Sequence, residues 1–226
     1  MPWSLGAVHM TTQVIAIADR RGRAMINQWV HAPDWALVQV ENLDMLRGNV
    51  HNITAEAEAR IGRVGTHRER SVIMLEGGPD RDRTWSVWVR ATFSNYKVAY
   101  LTFISHAYGV TLMGDDVPGY QVDHLSNKAY APTGHEFIRV EAVPEAANHS
   151  WGVRFESRRT ENTDARKSHR LSYMSCAKLG GQLAPAGPHD ATGVNALVAY
   201  FTSIGLDPQE AREGVADMLQ HAYWHR

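Results

Sequence analysis

The most informative stretch of this chain is QVDHLSNKAYAPTGHEFIRVEAVPEAANHS, residues 121–150. An Asp-His pair ends a short apolar run that starts at Tyr120, and a polar loop containing Gly and Pro follows it. A second run rich in β-forming residues, 137–143, leads directly into a helix start at Pro144-Glu145. The pattern predicts a strand, a loop, a second strand and then a helix.

Polar side chains of this stretch have the chemistry of a one-metal phosphodiesterase site. They are Asp123, His124, Asn148 and His149. A neutral imidazole can take a proton from water, and a carboxylate with an amide or a second imidazole can hold a divalent ion. We predict His124 as the general base and Asp123 as a metal ligand. Asn148 and His149 lie about 100° apart on a helix, so only one of them is expected to face Asp123.

This stretch and the segment before it resemble the HNH nucleases, also called the His-Me finger or ββα-metal family. The likeness is to the phage and intron homing endonuclease branch. The matching pieces are Leu101–Gly109, Val122-Asp123-His124, Ile138-Arg139-Val140, and Val143-Pro144-Glu145 followed by Asn148. They fall within residues 100–151 of the 226-residue chain.

The resemblance implies a ββα-metal nuclease unit over residues 98–153 and a DNA endonuclease or nickase activity. It implies a divalent metal cofactor, Mg²⁺ or Mn²⁺, held by Asp123 and Asn148. With His149 as the ligand instead, the site would favour Mn²⁺, Ni²⁺ or Zn²⁺. It also implies a phage or mobile-element origin and action in the cytoplasm of a bacterial host. The alternative is a catalytically inactive HNH-fold protein with a DNA-binding or structural role.

The loop before the second strand departs from the family pattern. The family has an Asn there that braces the loop, whereas this chain has Gly134-His135-Glu136. We expect His135 or Glu136 to take that role. Together with Asn127, these residues are candidates for orienting His124, and ordinary loop polarity is the alternative.

DNA-binding residues are predicted mainly in a basic stretch that follows the site helix, residues 154–170. Its candidate phosphate contacts are Arg154, Arg158, Arg159, Arg166 and Lys167. Interspersed Glu and Asp residues also allow a solvated linker. Arg139 is a further candidate for contact with phosphate, or else it decorates the exposed face of its strand.

Composition limits the remaining classes of function. The formal net charge is −1, so DNA binding has to come from local patches. The lone Cys176 excludes an intramolecular disulfide and a Cys-based zinc ribbon, and it fits a reducing cytoplasm. No apolar run approaches the roughly 20 residues that cross a bilayer, and no signal peptide is recognisable.

The region before the nuclease-like unit, residues 10–97, is predicted to be α+β and rich in antiparallel strands. Residues 1–9 precede a second start at Met10 and are interpreted as an expression-tag remnant. Strands are predicted at Gln13–Ala18, Trp35–Val40, Ser71–Leu75 and Trp85–Phe93, and a helix at Asn49–Arg60.

The C-terminal region, residues 154–226, is predicted to be the basic linker followed by a helical hairpin. One helix covers Val194–Ile204 and stops at Gly205, and a capping box, Asp207–Glu210, starts the next. The hairpin is expected to pack on the core or on a second subunit, which would give a homodimer. The predicted fold class for the whole chain is α+β.

Overall fold

The computed structural model describes residues 5–50, 53, 59–68, 70–112, 117–128, 131, 133–154, 169–187 and 189–223. In chain order the elements are α1 (Leu5–His31), a 3-10 turn (Pro33–Trp35), β1 (Leu37–Val40), α2 (Leu43–Gly48), β2 (Arg60–Gly62), β3 (Val72–Glu76), α3 (Arg81–Thr84), β4 (Ser86–Arg90), α4 (Tyr96–Tyr108), β5 (Tyr120–His124), β6 (Phe137–Pro144), α5 (Glu145–Arg154), β7 (His169–Arg170), α6 (Tyr173–Leu179), α7 (Ala191–Ser203) and α8 (Pro208–Tyr223). Within these ranges, none of the helices has the length and apolar character required to traverse a bilayer.

The strands form a curled antiparallel sheet in the order β2-β3-β4-β6-β1-β7, with β5 also paired to β6. The first half of β6 pairs with β4 on one edge and β1 on the other, and its second half pairs with β5. Val140 pairs with both Val87 and His124, so β5 continues the edge that β1 occupies. Helices combined with an antiparallel sheet confirm the α+β class. β6, which was predicted as a strand of the nuclease unit, also pairs with β1 and β4 of the N-terminal region, so the two regions belong to one sheet.

The order predicted around the Asp-His pair is confirmed. β5, a loop, β6 and α5 follow one another over residues 120–154, and β5 and β6 are antiparallel. The segment Leu101–Gly109, which precedes the Asp-His pair in the resemblance, lies on α4 and its C-cap, and α4 ends at Gly109 in the left-handed conformation with φ 67°. A glycine accepts this conformation without a steric penalty, and it turns the chain toward β5.

The strand predicted at Gln13–Ala18 is wrong, because these residues lie in α1. A short apolar run fits a strand or a buried helix equally well, and only its surroundings decide. Buried positions recur along α1 at helical spacing: Val14, Ile17, Ala18, Arg21 and Met25. Since α1 begins at Leu5, residues 5–9 are part of this helix.

The other elements predicted before the unit agree with the structure to different extents. The strands predicted at Trp35–Val40, Ser71–Leu75 and Trp85–Phe93 correspond to β1, β3 and β4 with adjusted bounds. The helix predicted at Asn49–Arg60 falls largely outside the described residues, and its last residue lies in β2.

The C-terminal hairpin is confirmed as α7 and α8. The Asp207 carboxylate accepts the backbone N–H groups of Gln209 and Glu210 at 2.8 and 3.2 Å, as expected of a helix cap. Phe201 and Val215 are fully buried in a cluster that includes residues of α1, α5 and α6. The hairpin therefore packs on the core of its own chain, and a homodimer stays a prediction.

Candidate functional site

Asp123 and His124 end β5 and point to opposite faces of the sheet, as successive strand residues do. The Asp123 side chain meets α6, where its Oδ2 lies 2.9 Å from Nζ of Lys178. The His124 ring meets α4, where its centroid lies 4.3 Å from that of Tyr96. The predicted base and the predicted metal ligand are thus at one strand end but on different faces.

Asp123 is held by two contacts. Its Oδ1 accepts the backbone N–H of His124 at 2.8 Å, and its Oδ2 accepts a hydrogen bond from the Lys178 ammonium. The Asp123 side chain keeps 23% of its surface exposed, whereas Lys178 keeps only 4%. The carboxylate that was predicted to hold a metal is therefore paired with the ammonium group of Lys178.

Lys178 was not predicted as a site residue from the sequence. Its position next to Asp123 results from the placement of α6. Ser172 caps this helix by accepting the backbone N–H of Ser175 at 3.1 Å. The Ser175 hydroxyl in turn donates to the carbonyl of Leu125, the residue after His124, at 2.9 Å. α6 is therefore anchored to the end of β5. Because lysine is rarely buried, a Lys in a short helix carries no local signal that it turns inward.

His124 is buried, with 8% of its surface exposed. Burial, together with the positive charges of Lys128 and Lys178, lowers its pKa to about 4 against the opposing effect of Asp123. The imidazole is therefore neutral at pH 7, as a general base must be. Its Nε2 is buried and has no hydrogen-bond partner among the described residues, so the lone pair or N–H of this atom is not used in that part of the protein.

Asn148, rather than His149, turns toward β5. Its Nδ2 donates to Oε1 of Gln121 at 3.0 Å, and its Oδ1 is buried without a hydrogen-bond partner among the described residues. Gln121 lies on the same strand face as Asp123, about 7 Å away along the strand. His149 is exposed. A buried, unused amide oxygen on the Asp123 face fits an oxygen-preferring divalent ion.

The loop residues divide into bracing and surface positions. Glu136 is fully buried, and its Oε1 accepts the backbone N–H and the hydroxyl of Thr133 at 3.2 and 2.9 Å. His135 is exposed and lies 3.1 Å from Nη1 of Arg90. Asn127 is half-buried. Glu136 therefore braces the turn before β6, and in the described part of the chain neither it nor His135 bonds to His124.

Arg139 lies inside the protein, although both expectations for it required an exposed side chain. It is fully buried, and its Nε and Nη2 donate to Oε1 of Glu141 at 3.2 and 3.0 Å. The predicted phosphate contact is therefore wrong. A guanidinium without solvent exposure is a structural ion-pair group.

Arg21 of α1 completes this ion network. Its Nε donates to Glu141 at 2.9 Å, and its Nη2 donates to Glu141 and to the Trp85 carbonyl. Its Nη1 donates to the Arg81 carbonyl and the Tyr108 hydroxyl. All five guanidinium donors are bonded. Burial alone raises the pKa of Glu141, but Arg21 and Arg139 outweigh it and hold that pKa below the ordinary value.

Most of the predicted basic stretch, residues 154–170, lies outside the described residues. Arg158, Arg159, Arg166 and Lys167 lie outside the described residues, and of Arg154 only the helical backbone is described. At the end of the stretch, Arg170 lies in β7 and pairs with Asp34 at 2.5 Å. The linker or DNA-binding role of this stretch stays a prediction.

Two grooves lie away from Asp123 and His124. One, of about 510 Å³, is lined by Asp19, Pro144, Tyr200 and neighbours near the start of β5, and the other, of about 420 Å³, lies beside α7. Within the described ranges, three or more His, Cys, Asp or Glu side chains do not come together as a metal cluster. A site built from one carboxylate and one amide does not need such a cluster.

Comparison with protein-family models, with curated proteins and with solved structures finds no match for this chain.

Proposed function

We propose that this protein is a metal-dependent DNA endonuclease or nickase of the HNH type. The observation that carries the proposal is the β5–loop–β6–α5 arrangement with Asp123-His124 at the end of β5. In the same arrangement, α5 presents the unused Oδ1 of Asn148 to the Asp123 face of the strand. As proposed, such an enzyme is encoded by a phage or mobile element and acts in the cytoplasm of a bacterial host.

Asp123 and Asn148 would hold one divalent ion, Mg²⁺ or Mn²⁺. Bound there, the ion supplies Lewis-acid stabilisation of the phosphate and the leaving oxygen. His124 accepts the proton of the attacking water, which its neutral ring permits. Glu136 and Tyr96 keep the loop and the imidazole in place, because Glu136 holds the turn before β6 and Tyr96 packs on the ring.

The test is incubation of supercoiled plasmid DNA with the protein and Mg²⁺ or Mn²⁺, with EDTA as the control. Nicked or linear product that requires the metal supports the proposal. Intact plasmid across both metals and a broad pH range rejects it.

Metal affinity is expected to depend more on Asp123 than on Asn148. Asp123→Ala removes a charged ligand, whereas Asn148→Ala removes a neutral one, so the first should weaken Mn²⁺ binding more. Calorimetric titration with Mn²⁺ measures both. His149→Ala is the matched change on the adjacent, exposed position and should leave the affinity nearly unchanged. If it proves the most damaging helix substitution, His149 is the ligand.

Lys178 is expected to compete with the divalent ion for Asp123. Lys178→Met removes a positive charge located 2.9 Å from the ligand oxygen while keeping the length of the side chain. The loss of like-charge repulsion should tighten Mn²⁺ binding by at least about tenfold. Lys178→Arg keeps the charge and serves as the control. Equal affinities of wild type and Lys178→Met, with both proteins folded, would show that the two cations do not share the carboxylate.

A second candidate is a catalytically inactive HNH-fold protein that binds DNA or has a structural role. The Lys178–Asp123 ion pair favours it, because a carboxylate neutralised by a buried ammonium needs no metal. The same titration separates the candidates. Absence of Mn²⁺ binding by wild type together with absence of cleavage selects the inactive protein.

A further inference from the structure

Three loops meet around the end of β5 that carries His124. They cover residues 63–71, between β2 and β3; 91–97, which includes the first turn of α4; and 125–136, between β5 and β6. The second and third loops are joined because the backbone N–H of Ala91 donates to the Glu136 carbonyl at 3.0 Å. The first and second are joined by the His67 and Phe93 rings, whose centroids are 5.6 Å apart. The described parts of the loops therefore form one continuous surface.

Among the described residues of these loops, the exposed charged side chains are basic. We define the basic rim as Arg68, Arg70, Lys97, Lys128 and His135 of the loops together with the half-buried Arg90 at the end of β4. The three loops contain two acidic residues, Glu69 and Glu136. Glu136 is fully buried, and Glu69 lies outside the described residues. A chain with a net charge of −1 thus concentrates positive charge beside the candidate base.

The basic rim reaches the candidate site through Tyr96. The Lys128 ammonium lies 5.1 Å from the centre of the Tyr96 ring, and the centroid of the His124 ring lies 4.3 Å from that of the same Tyr96 ring. On the far side of the loop, His135 contacts Arg90 at 3.1 Å. Cations thus lie beside the Tyr96 ring that packs on His124 and also between the end of β4 and the turn before β6.

We propose that the basic rim binds the phosphate backbone of duplex DNA and positions a phosphate at His124. This inference rests on the proposed nuclease function. Cations spread over three loops match a polymer of regularly spaced phosphates better than a single small anion. Contacts of this kind fix position without reading sequence. The rim differs from the stretch 154–170 and consists of residues that the structure describes.

The test compares two triple variants with equal change in net charge. In the rim variant, Arg68, Lys97 and Lys128 are each replaced by Gln. In the control variant, Arg23, Arg83 and Arg212 are each replaced by Gln. All six side chains are exposed. Two of the control residues lie at the strand ends opposite the rim. Arg23 lies beside Asp19, which accepts a hydrogen bond from Tyr120 at the end of β5 opposite His124. Arg83 lies just before β4, at the end of that strand opposite Arg90.

Affinity for a fluorescent duplex is measured by anisotropy between about 50 and 200 mM KCl, in EDTA so that cleavage cannot interfere. The slope is that of the logarithm of the binding constant against the logarithm of the salt concentration, and each lost phosphate contact reduces its magnitude by about 0.9. The rim variant should therefore flatten the slope by roughly two to three and weaken binding to unrelated sequences about equally. The control variant should keep the wild-type slope.

An unchanged slope in the rim variant overturns the inference, as does an equal flattening in both variants, which would reflect net charge alone. Failure of the proposed function looks different. If wild type binds DNA through the rim but does not cut it with Mg²⁺ or Mn²⁺, the surface stands and the nuclease assignment falls. Circular dichroism melts of both variants check that they are folded, and both should melt close to wild type because the substituted side chains are exposed.

Discussion

Replacing His124 with alanine is expected to slow metal-dependent DNA cleavage by about 10²–10⁴-fold, the usual cost of losing a positioned general base. The reasons are its neutral ring at the end of β5 and its Nε2, which has no hydrogen-bond partner among the described residues. Binding should change little, because the side chain is buried and the basic rim remains. Single-turnover nicking of plasmid DNA measures the rate, and anisotropy in EDTA measures the affinity.

The matched control is His31→Ala, an exposed histidine at the end of α1, which should cut at the wild-type rate. The pH profile gives a second readout. Since burial first, and then Lys128 and Lys178, lower the pKa of His124 to about 4, activity limited by this base should persist well below pH 6.5 and fall only near pH 4. A His124→Ala protein that cuts as fast as wild type would place the base elsewhere.

Replacing Glu141 with alanine is expected to lower the free energy of unfolding by about 3–5 kcal/mol, because two buried guanidinium groups lose their counter-charge. Glu141 accepts hydrogen bonds from both Arg21 and Arg139, and all three side chains are almost fully buried. Equilibrium unfolding in urea at pH 7 measures the change.

Asp44→Ala is the control for this substitution, because the Asp44–Arg47 pair is exposed and such pairs contribute about 0–1 kcal/mol. The pH dependence has a defined sign. The folded pKa of Glu141 lies below its ordinary value, so its stabilisation is present above the unfolded pKa and is lost as pH falls through the folded pKa. A loss of less than about 1 kcal/mol in Glu141→Ala would mean that the two arginines do not depend on this carboxylate.

Local patterns along the chain were sufficient for several elements. The β5–loop–β6–α5 order follows from an apolar run, turn residues and a helix start, each of which acts within a few residues. The α7–α8 hairpin follows from Gly205 and the Asp207 cap, which are equally local. The same reasoning failed at Gln13–Ala18, where a short apolar run had no local feature that distinguishes a strand from a buried helix.

Local sequence patterns were enough to predict the α+β class and the strand–loop–strand–helix order that carries Asp123, His124 and Asn148. What surrounds these three side chains depends on the tertiary structure. Lys178 reaches Asp123 across 55 positions, and Arg21 reaches Glu141 across 120. Neither ion pair can be predicted from local sequence patterns, because each depends on how α6 or α1 packs against the sheet. Burial then changes the chemistry of these groups, because desolvation and neighbouring charges act through space and not along the chain.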